Sequence, residues 1–430
     1  MKTKGLLVVL IACSWILSAC QSAQIPPTAT AVILPPTDTP IPTNTSVPPT
    51  PTVTNTPFVP KATFKIAVAV PMTGDSGFAG TDIFHASELA VAQLSNSLEL
   101  MGYDVELVSY DDKRDLDIAV SNAKEIVKDA DILCGVGHFN SYITIQATEV
   151  YHRAELAFIS PSSTSPDVTD RGYLEVNRVI GRDDAQGTAS ARFAQEHGFN
   201  AIYLIYNPSN PYTQKNGAFF KREASQLGLN IVGELSTDVS NNFEDVIKRI
   251  LEANTDLVFF AGFTDQFGNF INEARNLGYT GTILGIDGTP ELINLAGLFA
   301  IDGGGLYYTT NSPNLASEPN VAQFVQDFQS QFGSVPQTFT PNAYDATGIC
   351  MKAIEEASKA KGGDIPTRAE VANAIRALVD YQGITGTYSF TSKGDPMVSL
   401  YQVYQVTTID PNKWDANPIV ATYEIEPPSK

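Results

Sequence analysis

The chain has 430 residues, 43 % of them hydrophobic, and carries 47 acidic against 27 basic side chains for a net charge of −20. That length is too great for one small core and suits two lobes, while the acidic balance excludes nucleic acid and an anionic membrane surface as partners. No His-Glu-x-x-His motif and no metal-type cysteine pairs occur, so neither a metal nor a cofactor is expected.

At the N-terminus, Lys2 and Lys4 precede an apolar run over residues 5–17 that is too short to span a bilayer comfortably. The run ends in Leu17-Ser18-Ala19-Cys20. Basic start, apolar core and small residues before a cysteine resemble a bacterial lipoprotein signal. The resemblance implies removal of residues 1–19 and modification of Cys20 by more than one acyl chain, as stable anchoring requires. Residues 20–61 form a tether dominated by proline and threonine, as in Val47-Pro48-Pro49-Thr50-Pro51-Thr52. Proline fixes φ and removes amide donors, so neither helix nor sheet is expected, and at about 3.1 Å per residue the stretch reaches on the order of 100 Å. The mature chain is therefore expected outside the cytoplasm, held to the cell membrane by lipid. Cys13 leaves with the signal, and Cys134 and Cys350, far apart in sequence, are expected as buried free thiols.

Beyond residue 61 the sequence alternates between strand and helix patterns. Residues 64–70 are a near-continuous apolar run, as in a strand buried on both faces. A helix is predicted from about residue 83 to 94 and a strand over 105–109. Leu116, Ala119, Val120, Ala123, Ile126 and Val127 mark a helical stripe over 116–129. Strand 132–136, helix 143–153 and strand 156–160 follow. The rhythm restarts with strand 201–206, helix 216–227, strand 231–235, helix 243–253, strand 257–261, helix 266–277 and strand 282–286. Such alternation builds parallel sheets with helices on both faces. Three helices come next, over 321–332, 342–359 and 367–378. The last opens on Thr367-x-x-Glu370, a capping box. Strand-like alternation over 389–406 suggests that the chain recrosses between lobes.

In open parallel sheets ligands bind beyond the carboxyl ends of the strands. There the first half offers Gly137-His138-Phe139-Asn140-Ser141 and the hydroxyl-rich Ser160-Pro161-Ser162-Ser163-Thr164-Ser165-Pro166. The second half offers residues 207–212, Gly262-Phe263-Thr264-Asp265 and Gly285-Ile286-Asp287-Gly288. Hydroxyls and amides on one wall and a carboxylate on the other suit a zwitterion, its carboxylate on the first lobe and its ammonium on Asp287. Each loop alone also fits a simple turn; their convergence on one end of the strands points to a site.

The order of these motifs resembles the periplasmic leucine/isoleucine/valine-binding protein family, the type I substrate-binding proteins of ABC importers. The resemblance is carried by Met72-Thr73-Gly74, Tyr110-Asp111-Asp112, Gly137-His138, residues 159–166, Thr169-Asp170-Arg171-Gly172-Tyr173, Arg182-Asp183-Asp184-Ala185-Gln186-Gly187, Asn342-Ala343-Tyr344-Asp345-Ala346 and Ser392-Lys393-Gly394-Asp395. It implies an α/β fold of two Rossmann-like lobes joined by three crossovers, lobe 1 from 62–183 and 312–385, lobe 2 from 184–311 and 386–425. It also implies that Ser141, Ser162 and Thr164 receive a ligand carboxylate, that Tyr212 lines the cleft, and that Asp287 pairs an ammonium. Phe263 stands where the family usually has a tyrosine; Ala79, with Phe78 beside it, stands where an aromatic residue often covers the ligand. The expected function is capture of a branched-chain or related amino acid by a monomeric receptor and its delivery to an ABC permease, or alternatively ligand sensing for signalling. An enzyme is not expected: only His138 lies in a cleft loop, near Ser141, and no Gly-x-Ser-x-Gly elbow occurs. Sugar binding is less favoured, since the two tryptophans are Trp15, in the signal, and Trp414, near the end.

Overall fold

The structure, a computed structural model, describes residues 60–74, 76–236, 242–288, 305–312, 315, 319–408 and 417–428. The signal, Cys20 and the tether up to residue 59 lie outside the described residues, as does Trp414.

The first sheet grows from β1 (Ala62–Val70), whose side chains alternate between two covered faces. Ile66, Val68 and Val70 enter one apolar cluster, and Ala67 and Ala69 enter another on the opposite side. Then come α1 (Gly77–Leu94), α2 (Asn96–Leu100), β2 (Tyr103–Asp111), α3 (Leu116–Ile126), β3 (Ile132–Gly137), α4 (Ser141–Arg153), β4 (Ala157–Ser160) and β5 (Val176–Arg178). The five strands are parallel in the order β2-β1-β3-β4-β5. Both faces are buried, which is why β1 and β3 read as apolar runs rather than alternations.

The second sheet is built from α5 (Asp183–Glu196), β6 (Ile202–Tyr206), α6 (Pro211–Gln226), β7 (Ile231–Ser236), α7 (Glu244–Glu252), β8 (Leu257–Ala261), α8 (Thr264–Asn276), β9 (Thr282–Gly285) and β10 (Leu306–Thr310). The chain then returns to the first lobe for α9 (Pro319–Phe332), α10 (Thr340–Ala360) and α11 (Arg368–Arg376), makes a small hairpin of β11 (Tyr381–Gln382) and β12 (Thr387–Tyr388), and finishes with β13 (Ser399–Gln405) and β14 (Ile419–Ile425). The order in this sheet is β14-β13-β10-β9-β8-β6-β7; β13 pairs antiparallel with both β10 and β14, and the other pairs are parallel. Phe324, Phe328, Ile349, Ile354, Val371 and Ile375, from α9 to α11, share the core of the first sheet. The chain thus passes between lobes three times, after β5, after β10 and after β12. The α/β class with two Rossmann-like lobes and three crossovers is what the sequence led us to expect.

Most elements read from periodicity lie where they were expected, but α1 and α6 begin six and five residues earlier than the apolar pattern suggested. The capping box is present: the Glu370 amide donates to Thr367 Oγ1 (3.3 Å) and the Thr367 amide to Glu370 Oε2 (2.7 Å). Alternation over 389–406 was only half right, because residues 389–398 form turns and a single bridge ahead of β13. Helix α5 was missed. Its sequence is largely alanine, glycine, threonine, serine and acids, so it packs closely on α6 without showing an apolar stripe.

One expectation is overturned. Cys134 and Cys350 are not free thiols; they form a disulfide joining β3 to α10 across 216 residues of sequence, with Cα atoms 5.9 Å apart. Sequence distance misleads here because α10 comes back to lie on β3. The bond ties together the two chain-discontinuous parts of the first lobe. A crosslink closing so long a loop restricts the unfolded chain strongly. Replacing both cysteines by alanine is expected to lower unfolding free energy by about 2–5 kcal/mol, read by urea titration; an unchanged midpoint in the oxidised and reduced protein would disprove the contribution.

Candidate functional site

The first wall lies at the carboxyl ends of β3 and β4. Ser141 is the first residue of α4, behind an extended Asn140. The helix thus begins at the cleft, with unpaired amides and the positive end of its dipole facing it. Ser141 Oγ accepts from the Ser165 amide (3.3 Å), and Ser162 Oγ donates to the Phe139 carbonyl (3.1 Å). Ser141, Ser162 and Thr164 are all buried. Thr164 presents its carbonyl to the Asp183 amide (2.9 Å), while its own amide meets no acceptor among the described residues. Ser165 Oγ and Asn140 Oδ1 are buried without a hydrogen-bond partner.

The opposite wall is electron-rich. Tyr212, in the first turn of α6, donates to Asp287 Oδ1 (2.6 Å) and accepts from the Gly288 amide (2.7 Å). Position 288 requires glycine, since a Cβ there would sit 2.7 Å from the tyrosine oxygen. Phe263, the residue before α8, stands 5.5 Å from the Tyr212 ring. Asp183 opens α5 and accepts from Asn216 Nδ2 (2.8 Å). Burial pushes the Asp287 carboxyl up to about 6, against the hydrogen bonds from Tyr212 and Gln186. Burial, reinforced by the charge of Asp287, pushes Asp183 well above the usual carboxylate range. Burial, again with Asp287, raises the Tyr212 phenol. Asp183 Oδ2, Gln186 Oε1 and Asn216 Oδ1 are buried with no hydrogen-bond partner. Nδ2 of Asn216 is committed to Asp183 and Nε2 of Gln186 to the Thr309 carbonyl (3.1 Å), which fixes both amide orientations. What remains is a cluster of acceptor oxygens that calls for a ligand group rich in N–H donors.

The walls face each other closely. Lys215 Nζ of α6 lies 3.1 Å from Asp167 Oδ1, and the Arg114 guanidinium stands 5.2 Å from the Phe263 ring. Both contacts pass from one lobe to the other, so the lobes are closed. Lys113 and Arg114 hold left-handed backbone (φ 52° and 59°) that only local anchoring sustains; their amides donate to Asp111 Oδ1 and Asp112 Oδ1, both 2.9 Å.

Sequence reasoning thus named two groups that the fold brings together, Ser141–Ser162–Thr164 and Tyr212–Phe263–Asp287. Phe78 and Ala79 lie in the first turn of α1, the former exposed and the latter buried, and no hydrogen bond or ring contact among the described residues joins them to either wall. Asp183, Gln186, Asn216 and Arg114 were not singled out. Asp183 and Gln186 sat inside a quoted motif, but only burial and the position of α5 reveal what they face. His138 points away from Ser141: its Nδ1 pairs with Asp112 Oδ2 (2.8 Å) and its Nε2 with the Tyr151 hydroxyl (3.0 Å), all inside the core. A serine–histidine pair is therefore not assembled.

Comparison with known proteins converges on one class. The family model described as "Periplasmic binding protein" matches residues 63–412. A "Leu/Ile/Val-binding protein homolog 1" from Brucella suis is 27 % identical over 79 % of this chain and 89 % of its own length. A "Leucine-, isoleucine-, valine-, threonine-, and alanine-binding protein" from Pseudomonas aeruginosa is 27 % identical over 80 % of this chain and 90 % of its own. The crystal structure of a leucine binding protein, LivK, from Thermotoga maritima superposes with a TM-score of 0.72 at 26 % identity, covering 84 % of this chain and 98 % of that one. The fold is also shared by a solute binding protein from R. palustris in complex with 4-hydroxybenzoate, at 16 % identity and a TM-score of 0.72 over 85 % of this chain and 98 % of that one.

The raised carboxyl of Asp287 has a measurable consequence. Its folded value lies above the unfolded one of 3.8, so folding takes up a proton between them and the empty protein loses stability as pH rises through that window. Asp287→Asn lacks this titration. Relative to the parent, the variant is expected to gain about 2–3 kcal/mol between about pH 4 and about pH 7.5, read by urea unfolding without ligand; a stability difference independent of pH would contradict the assignment.

Proposed function

Because this chain belongs to the periplasmic binding protein family, which includes the leucine/isoleucine/valine-binding proteins, we propose that it captures a small apolar α-amino acid outside the cytoplasm and delivers it to an ABC importer. Extracytoplasmic solute binding is the property of the family; no helix among the described residues is long and apolar enough to cross a membrane. The choice of ligand rests on one observation, the pairing of a donor wall with an acceptor wall. The N-terminus of α4, the Ser141 and Thr164 hydroxyls and the Thr164 amide suit a carboxylate. Asp183, Asp287 and the oxygens of Asn216 and Gln186 suit an ammonium, whose three N–H groups satisfy acceptors that otherwise have none. Tyr212 and Phe263 supply apolar ring surface beside it.

A carboxylate without a cation, such as a benzoate, fits poorly. It brings no N–H donors to the acceptor oxygens of Asn216 and Gln186, which are buried without partners. An α-amino acid closes the circuit with no added metal or cofactor. Anchoring by a lipid on Cys20, a tether over residues 20–61 and action as a monomer complete the proposal; labelling with radioactive palmitate, lost in Cys20→Ser, tests the anchor.

A thermal-shift panel of L-leucine, L-isoleucine, L-valine, L-alanine, L-threonine, benzoate and 4-hydroxybenzoate tests the reading, since a true ligand stabilises the folded form by mass action. Stabilisation by the apolar amino acids and none by the benzoates is expected; the reverse pattern would refute the proposal. Asp287→Ala is expected to weaken amino-acid binding by about 2–5 kcal/mol, measured by titration calorimetry, and unchanged affinity would remove Asp287 from the site.

A further inference from the structure

Arg178, the last residue of β5, is fully buried. Its guanidinium is spent on the segment that carries the carboxylate-binding hydroxyls. Nη1 donates to the Ser163 carbonyl (2.7 Å), and Nη2 donates to the Ser165 carbonyl (2.9 Å) and to Thr169 Oγ1 (2.6 Å). The Thr164 carbonyl between them is held by the Asp183 amide. Three successive carbonyls of one loop are therefore fixed in direction. A trans peptide is planar, so fixing the Ser163 carbonyl also fixes the Thr164 amide, which points the opposite way. That amide is the buried one that finds no acceptor among the described residues, an arrangement rarely left unsatisfied.

The guanidinium is held in turn. Asp395 Oδ1 lies 2.9 Å from Arg178 Nε and accepts from Thr169 Oγ1 (2.6 Å), while Asp395 Oδ2 lies 2.9 Å from Arg182 Nη1. Asp395 belongs to the third crossover, and Arg182 to the first. Gly394 gives its carbonyl to the Arg178 amide (3.0 Å) with φ at +98°, and a Cβ there would fall 2.1 Å from the Val176 carbonyl. Only glycine lets the crossover lie close enough for Asp395 to reach both arginines.

We propose that Arg178 is the positioning residue of the carboxylate subsite: by gripping the backbone of residues 163–165 from behind it aims the Thr164 amide at the ligand, and through Asp395 it ties that aim to the crossovers on which the lobes hinge. This inference rests on the amino-acid reading given above. It assigns no ligand contact to Arg178 itself, so a loss on substitution should depend on whether the ligand has a carboxylate.

The experiment compares L-leucine with L-leucinamide, which lacks the carboxylate, on the full chain. Arg178→Lys keeps the charge and loses the fork. It is expected to weaken leucine binding by about tenfold or more while leucinamide affinity changes less than about twofold, so that their ratio collapses. Thr169→Val removes one arm of the grip with less risk to folding; the same ratio is expected to fall about threefold, with the ligand-free melting temperature close to the parent's. Amide hydrogen exchange gives a ligand-independent reading: residues 160–169 are expected to exchange about tenfold faster in Arg178→Lys, with the α6 and β8 segments unchanged. Equal losses for both ligands, or exchange in 160–169 identical to the parent's, would overturn the positioning role. If the parent binds neither compound, the ligand reading falls, and the exchange comparison decides the role of Arg178 by itself.

Discussion

Asp395 is the pivot of this molecule. A single buried carboxylate accepts two arginines, Arg178 at the end of the first sheet and Arg182 at the start of the second lobe. Arg182 also pairs with Asp184 (2.8 Å) and Asp170 (3.1 Å), and its main chain is closed by Tyr401, whose hydroxyl accepts from the Arg182 amide (2.6 Å) and donates to the Arg182 carbonyl (3.0 Å). Burial works against the charge on Arg182, and Asp184 and Asp395 more than offset it. Charges this deep survive only when matched, and removing one partner of such a network costs far more than a surface ion pair contributes. The first and third crossovers are thus bound to each other through Asp395 and Arg182.

The cleft is the opposite case. There burial raises the carboxyls of Asp183 and Asp287, which share a crevice with a phenol and two amide oxygens. The same low polarity that strengthens the crossover network disfavours ionising both of these acids. Lys215–Asp167 and Arg114–Phe263 add contacts at the rim, where screening keeps each one modest.

Much of this was legible before any coordinates. The run 64–70 reads as a doubly covered strand, and Ser141, Thr164, Tyr212 and Asp287 each lie in the segment that follows a strand the sequence predicts, β3, β4, β6 and β9 in turn. The illegible parts have definite causes. Helix α5 hides behind small residues. Asp183 reads as an ordinary helix-start acid until α6 sets Asn216 against it. The cysteine pair reads as two unrelated thiols because contact in space was set by the return of α10. The short motifs that gave the family resemblance turned out to serve the scaffold more than the ligand. Asp111 holds the Met72 amide (2.8 Å), Asp112 holds His138, Asn342 Nδ2 holds the Val179 carbonyl (3.0 Å), and Asp345 accepts from the Ile384 and Thr385 amides (both 2.8 Å). They mark the architecture.

The link between β3 and α10 bears on how the chain matures. The first lobe begins with the earliest part of the body but cannot be finished until residue 350 has followed it out of the cytoplasm, with the whole second lobe interposed. The later lobe has α5 to β10 in one stretch and waits only for its last two strands, β13 and β14. Oxidation of Cys134 with Cys350 therefore records a late event in biogenesis, the moment when the N-terminal half stops waiting for its missing helices.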